Sequence, residues 1–142
     1  MRKSAILTIC VALVASVFAG GCATGAKGPS NEELISATMN NWKAGMETKD
    51  LAKIGLTVSE EFNHYEYGNK AQMLSAVDGM FKDGTLSGAK VSLETAETKI
   101  EGDAATVYPV EMSFASGSVT IEFNLKKEAD GQWRAIGMTV EM

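Results

Sequence analysis

A change of hydrophobic period at Gly84 constrains the fold more than any other feature of the chain. Before it, apolar residues recur every three or four positions. Ile35, Met39, Trp42 and Met46 form one set, and Met73, Leu74, Val77, Met80 and Phe81 another; each lies on one face of a helix. After Gly84 the period is two. Val91 and Leu93 open a run that extends to about Ile100. Tyr108, Val110, Met112 and Phe114 form the next run, then Val119, Ile121, Phe123 and Leu125, then Ile136, Met138 and Val140. A period of two puts each set on one face of a strand. The turns at Glu101-Gly102-Asp103, Gly117-Ser118 and Glu128-Ala129-Asp130-Gly131 are too short for crossover helices. The four strands therefore pair antiparallel as a meander with one face on a core. Helices first and strands afterwards define an α+β domain.

The helix ends carry their own signals. Ser30 and Glu33 have the spacing of a capping box, which predicts a helix from there to about Thr48. A second, short helix is predicted from Asp50, turning Leu51 and Ile54 inward. Phe62 to Tyr67 reads as a short strand stopped by Gly68-Asn69. Asn69 and Gln72 then repeat the cap spacing, and Gly84 closes the helix that follows.

Upstream of Ser30 the chain reads as targeting sequence. Arg2 and Lys3 precede an uncharged run of 14 residues, Ala5 to Phe18. A bilayer-spanning helix needs roughly 20 apolar residues, so this run suits the core of a signal peptide. Ala19-Gly20-Gly21-Cys22 resembles the lipobox of bacterial lipoproteins, with Ala19 where leucine is usual. The resemblance implies that residues 1–21 are removed and that Cys22 is acylated, making membrane lipid a partner. Residues 22–29 then form a lipidated tether and residues 30–142 the folded domain. The expected location is the bacterial cell envelope. In a Gram-negative host it is the outer membrane facing the periplasm, because Ala23 rather than aspartate follows the cysteine.

Processing of this kind keeps 11 of the 13 basic residues and all 18 acidic ones, so the formal charge moves from −5 to −7. Nucleic-acid affinity rests on neutralising phosphates with Lys and Arg, so nucleic acid is not an expected partner. Cys10 leaves with the signal, and Cys22 alone cannot form an intrachain disulfide. The domain must be held by its core.

The predicted order of helix, short helix, strand, helix and four antiparallel strands resembles the nuclear transport factor 2-like superfamily, with its SnoaL-like and ketosteroid-isomerase-like members. Trp42-Lys43-Ala44-Gly45 through Lys49-Asp50-Leu51, Ser59-Glu60-Glu61-Phe62 and Gln132-Trp133-Arg134-Ala135-Ile136 resemble its local wording in the same order. The resemblance spans residues 30–142. It implies N-terminal helices packed in a strongly bent sheet, a cone-shaped, cystatin-like α+β fold with an internal pocket, and a homodimer formed through the sheet. It also places Tyr65 where the isomerases carry an aspartate base, and Trp42 and Phe123 where they carry oxyanion donors. A phenylalanine donates no hydrogen bond, and a tyrosine is a poor proton abstractor at neutral pH. Isomerase chemistry of that type is not expected.

Other chemistry finds little support. His64 is the only histidine and the first acid–base candidate, with Glu66 on the same predicted strand face. One histidine and no available cysteine provide no metal-site spacing, and no cofactor motif or phosphate-binding loop is present. Six methionines, Met39, Met46, Met73, Met80, Met112 and Met138, occupy inward or interface positions and suit irregular apolar space. A pocket would be lined by Trp42, Met46, Tyr65, Met80 and Phe81, with His64 a candidate beside them. Three readings follow: a membrane-anchored, non-catalytic domain binding a small apolar ligand or a partner; an isomerase-, hydrolase- or dehydratase-like acid–base enzyme using His64; and a structural envelope protein dimerising through its sheet. A cavity of about 300 Å³ or more containing His64 would favour catalysis, one without it binding, and a filled cone the structural role.

Overall fold

The computed structural model describes residues 28–142, so the predicted signal peptide, Cys22 and most of the tether lie outside the described residues. Ser30 caps α1 (Asn31–Thr48): its hydroxyl accepts from the Glu33 N–H, and the Glu33 carboxylate accepts from the Ser30 N–H. Asp50 caps α2 (Leu51–Leu56) by accepting from the Lys53 N–H. Asn69 and Gln72 form the second capping box, opening α3 (Lys70–Asp83), and Gly84 ends that helix with a positive φ of 84°. Glycine occupies that left-handed conformation without the clash a Cβ would bring.

Between α2 and α3 the chain departs from expectation. Phe62 to Tyr67 is not one strand. It is β1 (Asn63–His64), a turn, and β2 (Gly68–Asn69), which pairs back on β1. The other strands form one antiparallel sheet: β3 (Lys90–Ser92), β4 (Glu97–Glu101), β5 (Ala104–Phe114), β6 (Gly117–Lys127) and β7 (Trp133–Glu141). β5, β6 and β7 follow one another as a meander, and the β5–β6 turn is Ala115-Ser116 rather than Gly117-Ser118.

Two irregularities bend this sheet. Ala105 and Val107 face inward on β5, yet so do Val110 and Met112, because the register slips at Tyr108-Pro109. Tyr108, expected on the inner face, is consequently 41% exposed. Pro109 has no N–H to give a neighbouring strand, and a bulge is where an interior strand tolerates it. Opposite the slip the edge strand breaks: the run expected from Val91 to Ile100 becomes β3 and β4, both paired with β5. The second slip lies in β7, where Asn124 pairs with Gly137 and Leu125 with Ala135, leaving Ile136 extra. Trp133 and Ala135 face inward before it, Met138 and Val140 after it. Each bulge adds twist and curvature, and the sheet wraps round the helices.

α1 is pinned across the hollow of the sheet. At its start the Asn31 side-chain oxygen accepts from the Trp133 ring N–H (3.3 Å) and from Lys127 (3.1 Å). Further along, the Thr38 hydroxyl donates to the Trp133 carbonyl at 2.7 Å. Towards its end the Glu47 carboxylate accepts from the Val91 N–H at 2.9 Å. The segment after α2 adds a rung to β7, with Ala135 donating to the Thr57 carbonyl and accepting from the Ser59 N–H, both at 2.9 Å. Trp133, Ile35, Ile54, Leu125 and Val110 are buried between these layers.

The buried Thr38–Trp133 bond joins groups 95 residues apart. Thr38→Val keeps the side-chain shape and removes the donor, so it should destabilise the domain by about 1–2 kcal/mol. Urea unfolding should show a lower midpoint at constant slope; an unchanged midpoint would mean that this bond does not tie α1 to the sheet.

Candidate functional site

Curvature leaves the cone incompletely filled. A cavity of about 340 Å³ lies between the helices and the concave face of the sheet. Trp42 and Met46 of α1 form part of its wall, with Val58 and Phe62 from the segment after α2. Met73, Val77 and Met80 come from α3, and Met112, Ile121, Phe123, Ala135, Met138 and Val140 from the sheet. Tyr67, Thr85, Phe114, Val119 and Met142, half-buried or exposed, also line it. None of the lining side chains carries a charge. Hydroxyl groups come only from Tyr67 and Thr85. Met39 is the one methionine among the described residues that does not line the cavity; Met46, Met73, Met80, Met112, Met138 and Met142 all do.

The two positions that resemble oxyanion donors meet in this wall. The Trp42 and Phe123 rings pack edge to face with centroids 4.8 Å apart. Such a pair adds aromatic attraction to its buried area, and the phenylalanine brings no polar hydrogen to a developing charge.

His64 lies behind the wall rather than in it. It is only 6% exposed, yet it is not among the cavity residues. Its Nδ1 accepts from the backbone N–H groups of Glu66 and Tyr67, each at 3.1 Å. With that lone pair occupied, the ring hydrogen is assigned to Nε2, which is buried without a partner among the described residues. Neither nitrogen therefore offers a lone pair to a substrate proton. The ring stacks on Tyr67 (4.8 Å between centroids, 24° between planes), whose other surroundings include the cavity. His64 thus holds the tight turn and backs the Tyr67 ring.

The remaining candidates divide. Trp42, Met46 and Met80 line the cavity, whereas His64, Tyr65 and Phe81 do not. Tyr65 is 91% exposed because the turn between β1 and β2 swings it outward, where a continuous strand would have aimed it at the pocket. Phe81 belongs to the packed core beneath α3. Glu66 is exposed, and its backbone N–H rather than its carboxylate meets the His64 ring. Phe62 and Tyr67, absent from the expected lining, flank the turn that the alternation concealed. The Tyr67 hydroxyl has its pKa raised above the ordinary value, first by burial and then by the negative charge of Glu66, with Tyr65 adding to the shift. Tyr67 is thus a neutral hydrogen-bonding group at neutral pH. Among the described residues no three His, Cys, Asp or Glu side chains are grouped to hold a metal, and no helix is long and apolar enough to cross a membrane.

Helices held in a curved antiparallel sheet around an apolar hollow define a cone-shaped α+β fold of the kind called cystatin-like or nuclear transport factor 2-like. One similar structure is a protein of unknown function with a cystatin-like fold from Nostoc punctiforme, 13% identical, at a TM-score of 0.64 over 81% of this chain and 94% of that one. Another is a nuclear transport factor 2-like protein of unknown function from Shewanella baltica, 17% identical, with a TM-score of 0.61 over 81% and 99% of the two chains. A de novo designed protein with a curved β-sheet is 17% identical and has a TM-score of 0.57 over 76% and 99%. These likenesses concern the fold alone. No protein-family model and no curated protein matches the sequence.

If His64 organises the turn, His64→Leu leaves two backbone N–H groups without their acceptor. Stability should fall by about 1–2 kcal/mol, and amide exchange at Glu66 and Tyr67 should accelerate. Unchanged protection of those two amides would contradict the role given to Nδ1.

Proposed function

We propose that this protein is a membrane-anchored, non-catalytic binding protein for a small apolar molecule held inside the cone. The observation that carries the reading is the open cavity, about 340 Å³ and walled by hydrocarbon and thioether groups, with His64 outside it. Its volume falls within the range usual for small-molecule sites. At about 30 Å³ for each water-sized unit it accommodates roughly ten to twelve non-hydrogen atoms. Unbranched methionine side chains adapt to the outline of an apolar guest without needing one fixed shape. An acid–base reaction would require a titratable group facing the guest, and the wall supplies a tyrosine held neutral.

The anchor belongs to the same reading through Cys22. Asn31, where the tether enters the fold, touches Trp133 at the start of β7, while Val140 and Met142 line the cavity near the strand's other end. At about 3.3 Å per residue those ends are separated by roughly 25 Å. Eight tether residues reach at most about 28 Å. A tether of that reach can bring either end of β7 to the bilayer.

Two outcomes are expected. For residues 23–142, 1-decanol at about 100 times its dissociation constant should stabilise the fold by roughly 2.7 kcal/mol and raise Tm. Val77→Trp, at a half-buried lining position, should weaken that effect at least tenfold while the variant remains folded; no shift in the parent domain would sink the binding reading. In the full-length protein, Cys22→Ser should move the chain from the membrane fraction to the soluble fraction. Retention of the variant on membranes after a high-salt wash would contradict lipid anchoring at that residue.

A further inference from the structure

We infer that Met80 and Met138 are oxidation sites, and that their conversion to sulfoxides by a hydroperoxide releases the apolar guest; the inference rests on the binding reading above. All the methionines of the described residues except Met39 line the hollow. Leucine would fill much the same volume without their reactivity. The rest of the wall is hydrocarbon, aromatic ring and hydroxyl, so the thioether sulfurs are its most nucleophilic groups. Exposure grades them. Met142 is fully exposed, whereas Met46, Met73 and Met112 are buried. Met80 and Met138 are half-buried, one on the helical side of the hollow and one on the sheet side. Their side chains are thus within reach of water, and of hydrogen peroxide, which is little larger.

In the reaction a sulfur lone pair attacks one peroxide oxygen. An S–O bond forms and the O–O bond breaks. Sulfur gives up two electrons to the peroxide, and the proton on the transferred oxygen passes to the departing one, which leaves as water or an alcohol. The product is a polar, chiral side chain where a flexible apolar one stood. Among the lining side chains only Trp42, Tyr67 and Thr85 carry a hydrogen-bond donor, so the new oxygens draw water into the hollow. An apolar guest would have to displace that water without replacing its hydrogen bonds, which loses affinity. A bound guest, conversely, covers both sulfurs and slows their oxidation.

Residues 23–142 treated with hydrogen peroxide at neutral pH, with sulfoxide at each methionine followed by peptide mass spectrometry, test this. Met80 and Met138 should oxidise after Met142 and ahead of Met39, which is packed in the core outside the cavity wall. With 1-decanol at about 100 times its dissociation constant, oxidation of Met80 and Met138 should slow at least about tenfold. Protein oxidised at both should stay folded by circular dichroism and bind decanol at least about tenfold more weakly. In Met80→Leu/Met138→Leu, compared with itself before and after peroxide, decanol affinity should not fall. A loss as large as the parent's would overturn the assignment to these two residues. Oxidation of Met80 and Met138 no faster than Met39, unchanged decanol affinity after oxidation, or unfolding by peroxide would overturn the inference while leaving the cavity a binding site. Failure of the unoxidised domain to bind decanol would overturn the binding reading, and this inference with it. The oxidation series uses the parent domain, so the test holds even if the double variant fails to fold.

Discussion

The curvature of the sheet depends on two phase slips, at Tyr108-Pro109 in β5 and at Ile136 in β7, and the rest of the molecule follows from that curvature. Each slip reverses which side chains face inward. Val110 and Met112 thereby reach the concave side beyond the first, Met138 and Val140 beyond the second. A flat sheet with uninterrupted alternation would lie flush against α1 and α3. A wrapped one encloses more volume than the two helices fill. The hollow is thus a consequence of the backbone, and the side chains determine what it admits.

An unfilled apolar hollow costs stability, since its lining atoms forgo the contacts that a packed core would give them. The domain keeps the hollow and offsets the cost elsewhere. Trp133 is buried and hydrogen-bonded through its ring N–H to Asn31, its carbonyl accepts from Thr38, and Glu47 ties the far end of α1 to β3. The starts of α1 and α3 carry complete capping boxes. Adaptable methionines around the void keep the walls from demanding one exact guest. The wall is also chemically quiet: Trp42 against Phe123 stands where an isomerase-like site would hold its donors, and His64 is occupied with the backbone of its own turn.

Much of the fold was legible before any coordinates. Ser30 with Glu33, Asn69 with Gln72, and Gly84 marked helix ends that the structure places where the caps predicted. The change of period separated helices from sheet, and Trp42, Met46 and Met80 were found among the wall residues. What stayed hidden shares one physical origin, a loss of phase that side-chain type disguises. Tyr108 extends the apolar series of Val110, Met112 and Phe114 without a break, although Pro109 signalled a bulge. Ala135 beside Ile136, two apolar neighbours, marked the slip in β7. Phe62 to Tyr67 alternates well enough to pass as a strand; the pairing of β2 back on β1 and the hydrogen bonds to His64 Nδ1 define the turn that exposes Tyr65 and brings Tyr67 to the cavity. His64 was the natural catalytic candidate by type; its position came from backbone pairing that residue type does not encode.

The central claim is an open, apolar cavity bounded by methionines, and those methionines can report on it directly. In protein labelled with carbon-13 at the methionine methyl groups, xenon enters apolar voids and shifts the resonances of the groups it touches. Met46, Met73, Met80, Met112 and Met138 should shift with a common saturation curve, whereas Met39, packed in the core away from the cavity, should not. Shifts that never saturate, or Met39 responding together with the others, would contradict an account built on one defined hollow.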